Sequence, residues 1–157
     1  MESSFEFTGS RLWLSCEGPW NLTYKSAQTP LLDRKTEKEV WRASGIKESW
    51  HAPVFVNGPN GQSEVVIAMF RKVAAFDPAT GAALWHCDTG INWYMCPTPV
   101  TERGIVYSIG ERNPNGGLAI RAGGRGDVTG SHVTWKVNKG SNVPSPILHR
   151  GHLWFAH

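Results

Sequence analysis

Two histidines, His149 and His152, bracket an Arg-Gly pair in the stretch HRGH. Two ring nitrogens carried by one hairpin could hold a transition metal. The local pattern is also that of a tight exposed turn, and we expect turn histidines with no metal centre. Gly123-Gly124-Arg125-Gly126-Asp127 contains an Arg-Gly-Asp triplet and a fragment similar to a calcium-binding glycine repeat. Such calcium sites need neighbouring turns to complete the coordination, and only one copy is present, so a flexible turn is expected. Asp77 and Thr80 are the right types for general-base chemistry. In a turn, however, such side chains usually bond their own backbone. Cys16, Cys87 and Cys96 are odd in number and lack metal-ligand spacing, so they read as buried free thiols. Asn21-Leu22-Thr23 spells a glycosylation sequon of a kind common by chance. No Ser-His-Asp order, phosphate-cradling loop or paired-carboxylate pattern is present. We therefore assign no catalytic residue, no metal ligand and no cofactor-binding residue.

The elements that would position such groups are organised around Val73 to Trp85, VAAFDPATGAALW. An apolar run enters Asp77-Pro78-Ala79-Thr80-Gly81 and resumes at Ala83, Leu84 and Trp85. Pro78 presets φ for the second position of a type I turn. Asp77 can accept from amides two residues on, and Gly81 can take a left-handed conformation from which the return strand starts. A hairpin follows. The spacing recurs, because Asp33 precedes Trp41 by the same offset as Asp77 precedes Trp85 and Asp127 precedes Trp135. A Trp at one fixed offset from an Asp three times marks an internal repeat. The first turn, Asp33-Arg34-Lys35-Thr36, has Glu37 where the second has Gly81, and is expected to be looser.

The 157 residues suffice for one domain with a sizeable core. The 17 Gly, 10 Pro and 8 Trp with only 18% charged residues suit short strands and tight turns, and argue against a helical bundle. A net charge of +3 with dispersed Lys and Arg gives no nucleic-acid platform. No stretch is long and apolar enough to span a bilayer, and the start of the chain lacks a signal-peptide pattern.

Arg11 to Glu17 alternates as a first strand. Ser49-Trp50-His51-Ala52-Pro53-Val54 is answered by Cys96-Pro97-Thr98-Pro99-Val100 and by Val143-Pro144-Ser145-Pro146-Ile147. Each marks the entry to a new strand, where Pro is tolerated. Further strands follow over Glu64 to Phe70, Gly104 to Ile109 and Gly151 to Ala156. One unit thus reads as Pro-marked strand, apolar strand, strand into turn, and Trp strand. Four strands repeated every ~45 residues describe a β-propeller blade. The expected fold is all-β, a single partial β-propeller domain with units near 5–50, 51–95 and 96–142 and a truncated one at 143–157. Such an arc leaves an apolar face and strand edges at its ends and should associate. A β-sandwich is the competing architecture, disfavoured by the repeat.

AFDPATGAALW resembles the A-x-D-x-x-T-G-x-x-x-W motif of the pyrroloquinoline-quinone-like (PQQ-like) β-propeller repeats, a family that includes quinoprotein dehydrogenases and BamB-like assembly scaffolds. The segment from TPVTERGIVYSIG onward is similar to the non-catalytic planctomycete-type members. The resemblance covers Arg11 to the end. The first repeat lacks the motif glycine, and the third keeps only the Asp-to-Trp spacing, with Gly130 and Ser131 replacing Thr and Gly. By resemblance, Trp41, Trp85 and Trp135 dock between adjacent blades, a place suited to a large ring with one N–H donor.

Catalytic members of the family hold their quinone against a disulfide of adjacent cysteines, with calcium nearby, and this chain has no adjacent cysteine pair. The resemblance therefore implies a non-enzymatic binding or scaffold platform for a protein partner or an undefined small ligand, completed by further blades and carrying no cofactor. The alternative is a fragment of a PQQ-dependent alcohol or sugar dehydrogenase, with PQQ and calcium bound in other blades. A sensor domain of a receptor-type kinase would need flanking sequence. Family members are often exported, so the resemblance implies a periplasmic or extracytoplasmic compartment; with no export signal in the chain, either the true N-terminus lies upstream of Met1, the reading we favour, or the protein is cytoplasmic.

Overall fold

The computed structural model describes residues 11–13, 27–33, 35–110 and 115–156. Cys16, Trp20, the Asn21 sequon and most of the strand expected over Arg11 to Glu17 lie outside them. All regular structure among the described residues is β, in successive sheets of which none closes on itself. The first sheet holds β1 (Arg11–Trp13), β2 (Ala27–Asp33) and β3 (Glu39–Ile46) in that spatial order. The second runs β4 (Val54–Asn57), β5 (Ser63–Met69), β6 (Lys72–Phe76), β7 (Ala83–Asp88). The third contains β8 (Val100–Glu102), β9 (Ile105–Ile109), β10 (Gly117–Arg121) and β12 (Val133–Val137). The fourth is the hairpin β13 (Ile147–His149) and β14 (His152–Trp154). Within these sheets neighbours are antiparallel and consecutive, as short connections allow. The exception is β11 (Gly126–Asp127), which leaves the third unit and pairs parallel to β7 at the edge of the second sheet.

The second sheet lies between two cores. Val65, Ile67, Met69, Ala74 and Phe76 pack with Leu31, Ala43 and Ile46 of the first sheet. The alternate residues Val66, Ala68, Val73, Ala75 and Trp85 pack with Val106, Leu118 and Ile120 of the third. Successive side chains on a strand point to opposite faces, so a strand covered on both faces needs an unbroken apolar run. That is the reason for VVIAM in β5 and VAAF in β6, where burying each Val or Ile is worth roughly 1.5–3 kcal/mol.

The repeat is visible in the register. Trp41 stands opposite Leu31, Trp85 opposite Ala75 and Trp135 opposite Ala119. A shift in pairing follows Leu31, Ala75 and Ala119 alike, the mark of a bulge that bends the strand as it enters the turn. Asp33, Asp77 and Arg121 then hold equivalent places, and each closes its turn through its own amide: Asp33 N to Lys38 O, Asp77 N to Ala82 O and Arg121 N to His132 O, at 2.8–2.9 Å. Arg121, and not Asp127, thus occupies the third Asp position. The third turn is longer than the other two, and the extra length carries Gly123 to Thr129 across to the second sheet. The equal Asp-to-Trp count there coincides with a different local structure.

Candidate functional site

The polar residues of the repeat act on the backbone around them. Asp77 Oδ1 accepts from Ala79 N (2.7 Å) and Thr80 N (3.0 Å), while Gly81, at φ 74°, donates its N–H to Asp77 O (2.8 Å). Asp33 Oδ1 accepts from Lys35 N (3.0 Å), Thr36 N (2.8 Å) and the Thr36 hydroxyl (3.0 Å), and Glu37, at φ 58°, donates to Asp33 O (2.8 Å). The first turn is therefore not looser than the second. Glu37 accepts the left-handed conformation that Gly81 adopts freely, and the Asp bonds hold it there. The Thr36 amide, then its hydroxyl, hold the Asp33 carboxyl below its usual range. An acid kept ionised by three donors to Oδ1 is a poor general base.

The three Trp residues occupy three different environments. Trp41 is half-buried, its Nε1 donates to Pro78 O in the next sheet's turn (3.1 Å), and its ring covers Gly81 so closely that a Cβ there would lie 2.5 Å from Cε3. Trp85 is buried, and its Nε1 donates to Oε2 of Glu64 at 2.7 Å. The same Glu64 oxygen accepts from Gly123 N (3.2 Å), and Arg125 Nη1 is 3.7 Å from Oε1. Glu64, missed by the sequence reading, ties the second sheet to the extended third turn. Its only sequence signal was an acidic residue opening an apolar run. Trp135, on the edge strand β12, is 38% exposed and meets Tyr107 at a ring-centroid distance of 6.0 Å.

The Arg-Gly-Asp triplet, expected as a flexible turn, is pinned. Gly126 and Asp127 pair with Trp85 and His86, Val128 N donates to His86 O (2.9 Å), and Thr129 Oγ1 accepts from Asp88 N (2.9 Å). Asp127 Oδ1 accepts from the hydroxyl and amide of Thr129, which hold its carboxyl below the usual range.

At the opposite end of the sheets lie the connectors, residues 47–53 and 89–99. Ser49 bridges Met95 in parallel, Met95 N donates to Glu48 O (2.8 Å) and Trp50 N to Met95 O (2.7 Å). With Ser49 and Met95 paired on one side, alternation turns Trp50 and Tyr94 to the other. Met95 is accordingly buried, while Trp50 is 46%, Tyr94 41% and Trp93 38% exposed. The Trp93 and Tyr94 rings meet tilted, with centroids 4.9 Å apart. Trp50 belonged to a sequence motif that marked a strand entry, and Trp93 and Tyr94 carried no periodic signal. His51, next in the chain after Trp50, is buried, with Nδ1 2.8 Å from Ala52 O and Nε2 2.8 Å from Ala68 O. Burial pushes its pKa down, against the pull of the two carbonyls.

Cys87 is buried and Cys96 half-buried, both as free thiols, and burial raises both pKa values. Among the described residues no three His, Cys, Asp or Glu side chains come together to hold a metal. No helix among the described residues is long and apolar enough to cross a membrane. A cleft of about 200 Å³ opens between Thr89, Asn115, Leu118, Lys136 and Asn138. No protein-family model matches the chain, and no curated protein matches it.

Proposed function

We propose that the chain is a PQQ-like β-propeller repeat protein in which each successive sheet is a blade or part of one, and that it works without catalysis as a binding or scaffold platform. The observation that carries this reading is the seam between Trp41 and the Asp77 turn. The Asp, Thr, Gly and Trp of the repeat shape a turn and seat an indole on it, a structural use of each residue. The exposed Trp50, Trp93 and Tyr94 are residue types enriched where proteins bind one another. In this reading Trp135 and the β12 edge receive the next blade, as β7 receives β11. The test is a titration of the purified chain with pyrroloquinoline quinone and calcium, followed by dye-linked alcohol oxidation. We expect neither saturable binding nor turnover. Turnover that depends on both additions would replace the scaffold with the dehydrogenase alternative.

A further inference from the structure

The hairpin β13–β14 brings two metal-ligating side chains into direct register. Its two-residue turn, Arg150-Gly151, has positive φ at both central residues (50° and 75°), the geometry that matches the twist of the flanking strands. This makes His149 and His152 cross-strand partners, so their imidazoles leave the same face with Cβ atoms about 5 Å apart. Both are exposed. His152 Nδ1 lies 2.9 Å from Arg150 O. A carbonyl oxygen only accepts, so Nδ1 carries the hydrogen and Nε2 is the nitrogen left to ligate. A backbone carbonyl on the far nitrogen is the support that metal-bound histidines usually have, since it sets the tautomer and raises the basicity of the ligating nitrogen.

We propose that His149 and His152 form a two-imidazole site for a late first-row divalent cation, bound most tightly as copper(II), with water in the remaining positions. The site is separate from the platform reading and does not rest on it. A metal–nitrogen distance of roughly 2.0–2.1 Å lets one ion span two rings rising from paired positions. Imidazole favours copper, nickel and zinc over magnesium or calcium, and copper stands at the top of the divalent series. The Arg150 guanidinium in the same turn opposes a further positive charge, which weakens all cations and most disfavours hard ones that depend on charge alone. Because both rings must be deprotonated to ligate, binding weakens in acid.

The Trp154 ring lies 6.2 Å from the His152 ring, close enough to report a bound paramagnetic ion by fluorescence quenching. The experiment titrates the whole 157-residue chain with copper(II) chloride and, in parallel, with magnesium chloride. Tryptophan emission is followed, and heats of binding are recorded on the same samples. We expect saturable quenching by copper and none by magnesium. His149→Gln and His152→Gln should each shift the midpoint upward by about tenfold or more, a loss of ~1.4 kcal/mol or more per ligand. Trp154→Phe should lose much of the quenching while keeping the heat. Both histidines are exposed, and circular dichroism confirms that the variants stay folded. An unchanged copper midpoint in either histidine variant, or equal quenching by magnesium, overturns the proposal.

Discussion

Glu37 and Gly81 hold the same left-handed position in equivalent turns, with φ of 58° and 74°, yet of the two only Gly81 leaves room for an indole above it. Trp41 rests on that bare α-carbon, so the glycine serves the seam as well as the turn. An indole seated on Glu37 in the same way would collide with its Cβ. Gly81→Ala adds a left-handed alanine, about 1–2 kcal/mol, to an overpacked contact of about 1–3 kcal/mol, and should cost about 2–5 kcal/mol in urea unfolding. Glu37→Gly should instead be neutral or stabilise by up to about 1 kcal/mol. Equal effects of the two changes would show that the indole does not press on Gly81.

Trp85 fills the core between the second and third sheets and donates to the buried Glu64. Trp85→Ala should cost about 3–5 kcal/mol, as removal of large buried aromatics does. Trp93→Ala, on the exposed connector, should cost less, about 0.5–1.5 kcal/mol, the worth of its contact with Tyr94. Coincident denaturation midpoints for the two variants would contradict the burial of Trp85.

His51 supplies a pH dependence. Burial lowers its folded pKa below the ordinary value of 6.5, so on acidification the unfolded chain takes up the proton first. The stability it contributes is complete above the unfolded pKa and is lost as pH falls through 6.5 toward the folded pKa, at no more than ~1.4 kcal/mol per pH unit. Unfolding free energy measured between pH 7.5 and about 5 should fall, and His51→Gln should flatten that slope. An unchanged slope in the variant would remove His51 as its source.

Cys87 is buried, and its thiol is held protonated by that burial. Under native conditions iodoacetamide should modify it only at the rate of global opening, more slowly than the half-buried Cys96. Peptide mass spectrometry over a time course distinguishes the two sites. Modification of Cys87 ahead of Cys96 would be the contrary result.

The β12 edge, with Trp135, Thr134 and Lys136 exposed, presents backbone groups beside an aromatic ring. Such edges pair with other chains. Sedimentation of the 157-residue chain should show concentration-dependent association that Trp135→Lys weakens. A monomer at all concentrations with the native residue in place would count against an open seam there.

The sequence by itself determined the local elements. The Asp77-Pro78 turn, the left-handed Gly81, the apolar strands on either side and the all-β class follow from bonds and dihedral preferences within a few residues, and these are written in residue type and spacing. The Trp positions were equally legible, since register carries Trp41, Trp85 and Trp135 to matching places in three hairpins. Only the tertiary structure decided what each Trp touches. Whether an indole meets a glycine of the next sheet's turn, about 40 residues on, a buried carboxylate two strands away in its own sheet, or solvent depends on contacts between residues distant in the chain. The same holds for Asp127. Its count to Trp135 copies the earlier repeats, but the longer third turn is drawn across to pair with β7, because Glu64 and the His86 backbone offer its amides acceptors there. His149 and His152 are a spacing in the sequence, and they become facing side chains only because Arg150 and Gly151 close the tightest kind of hairpin between them.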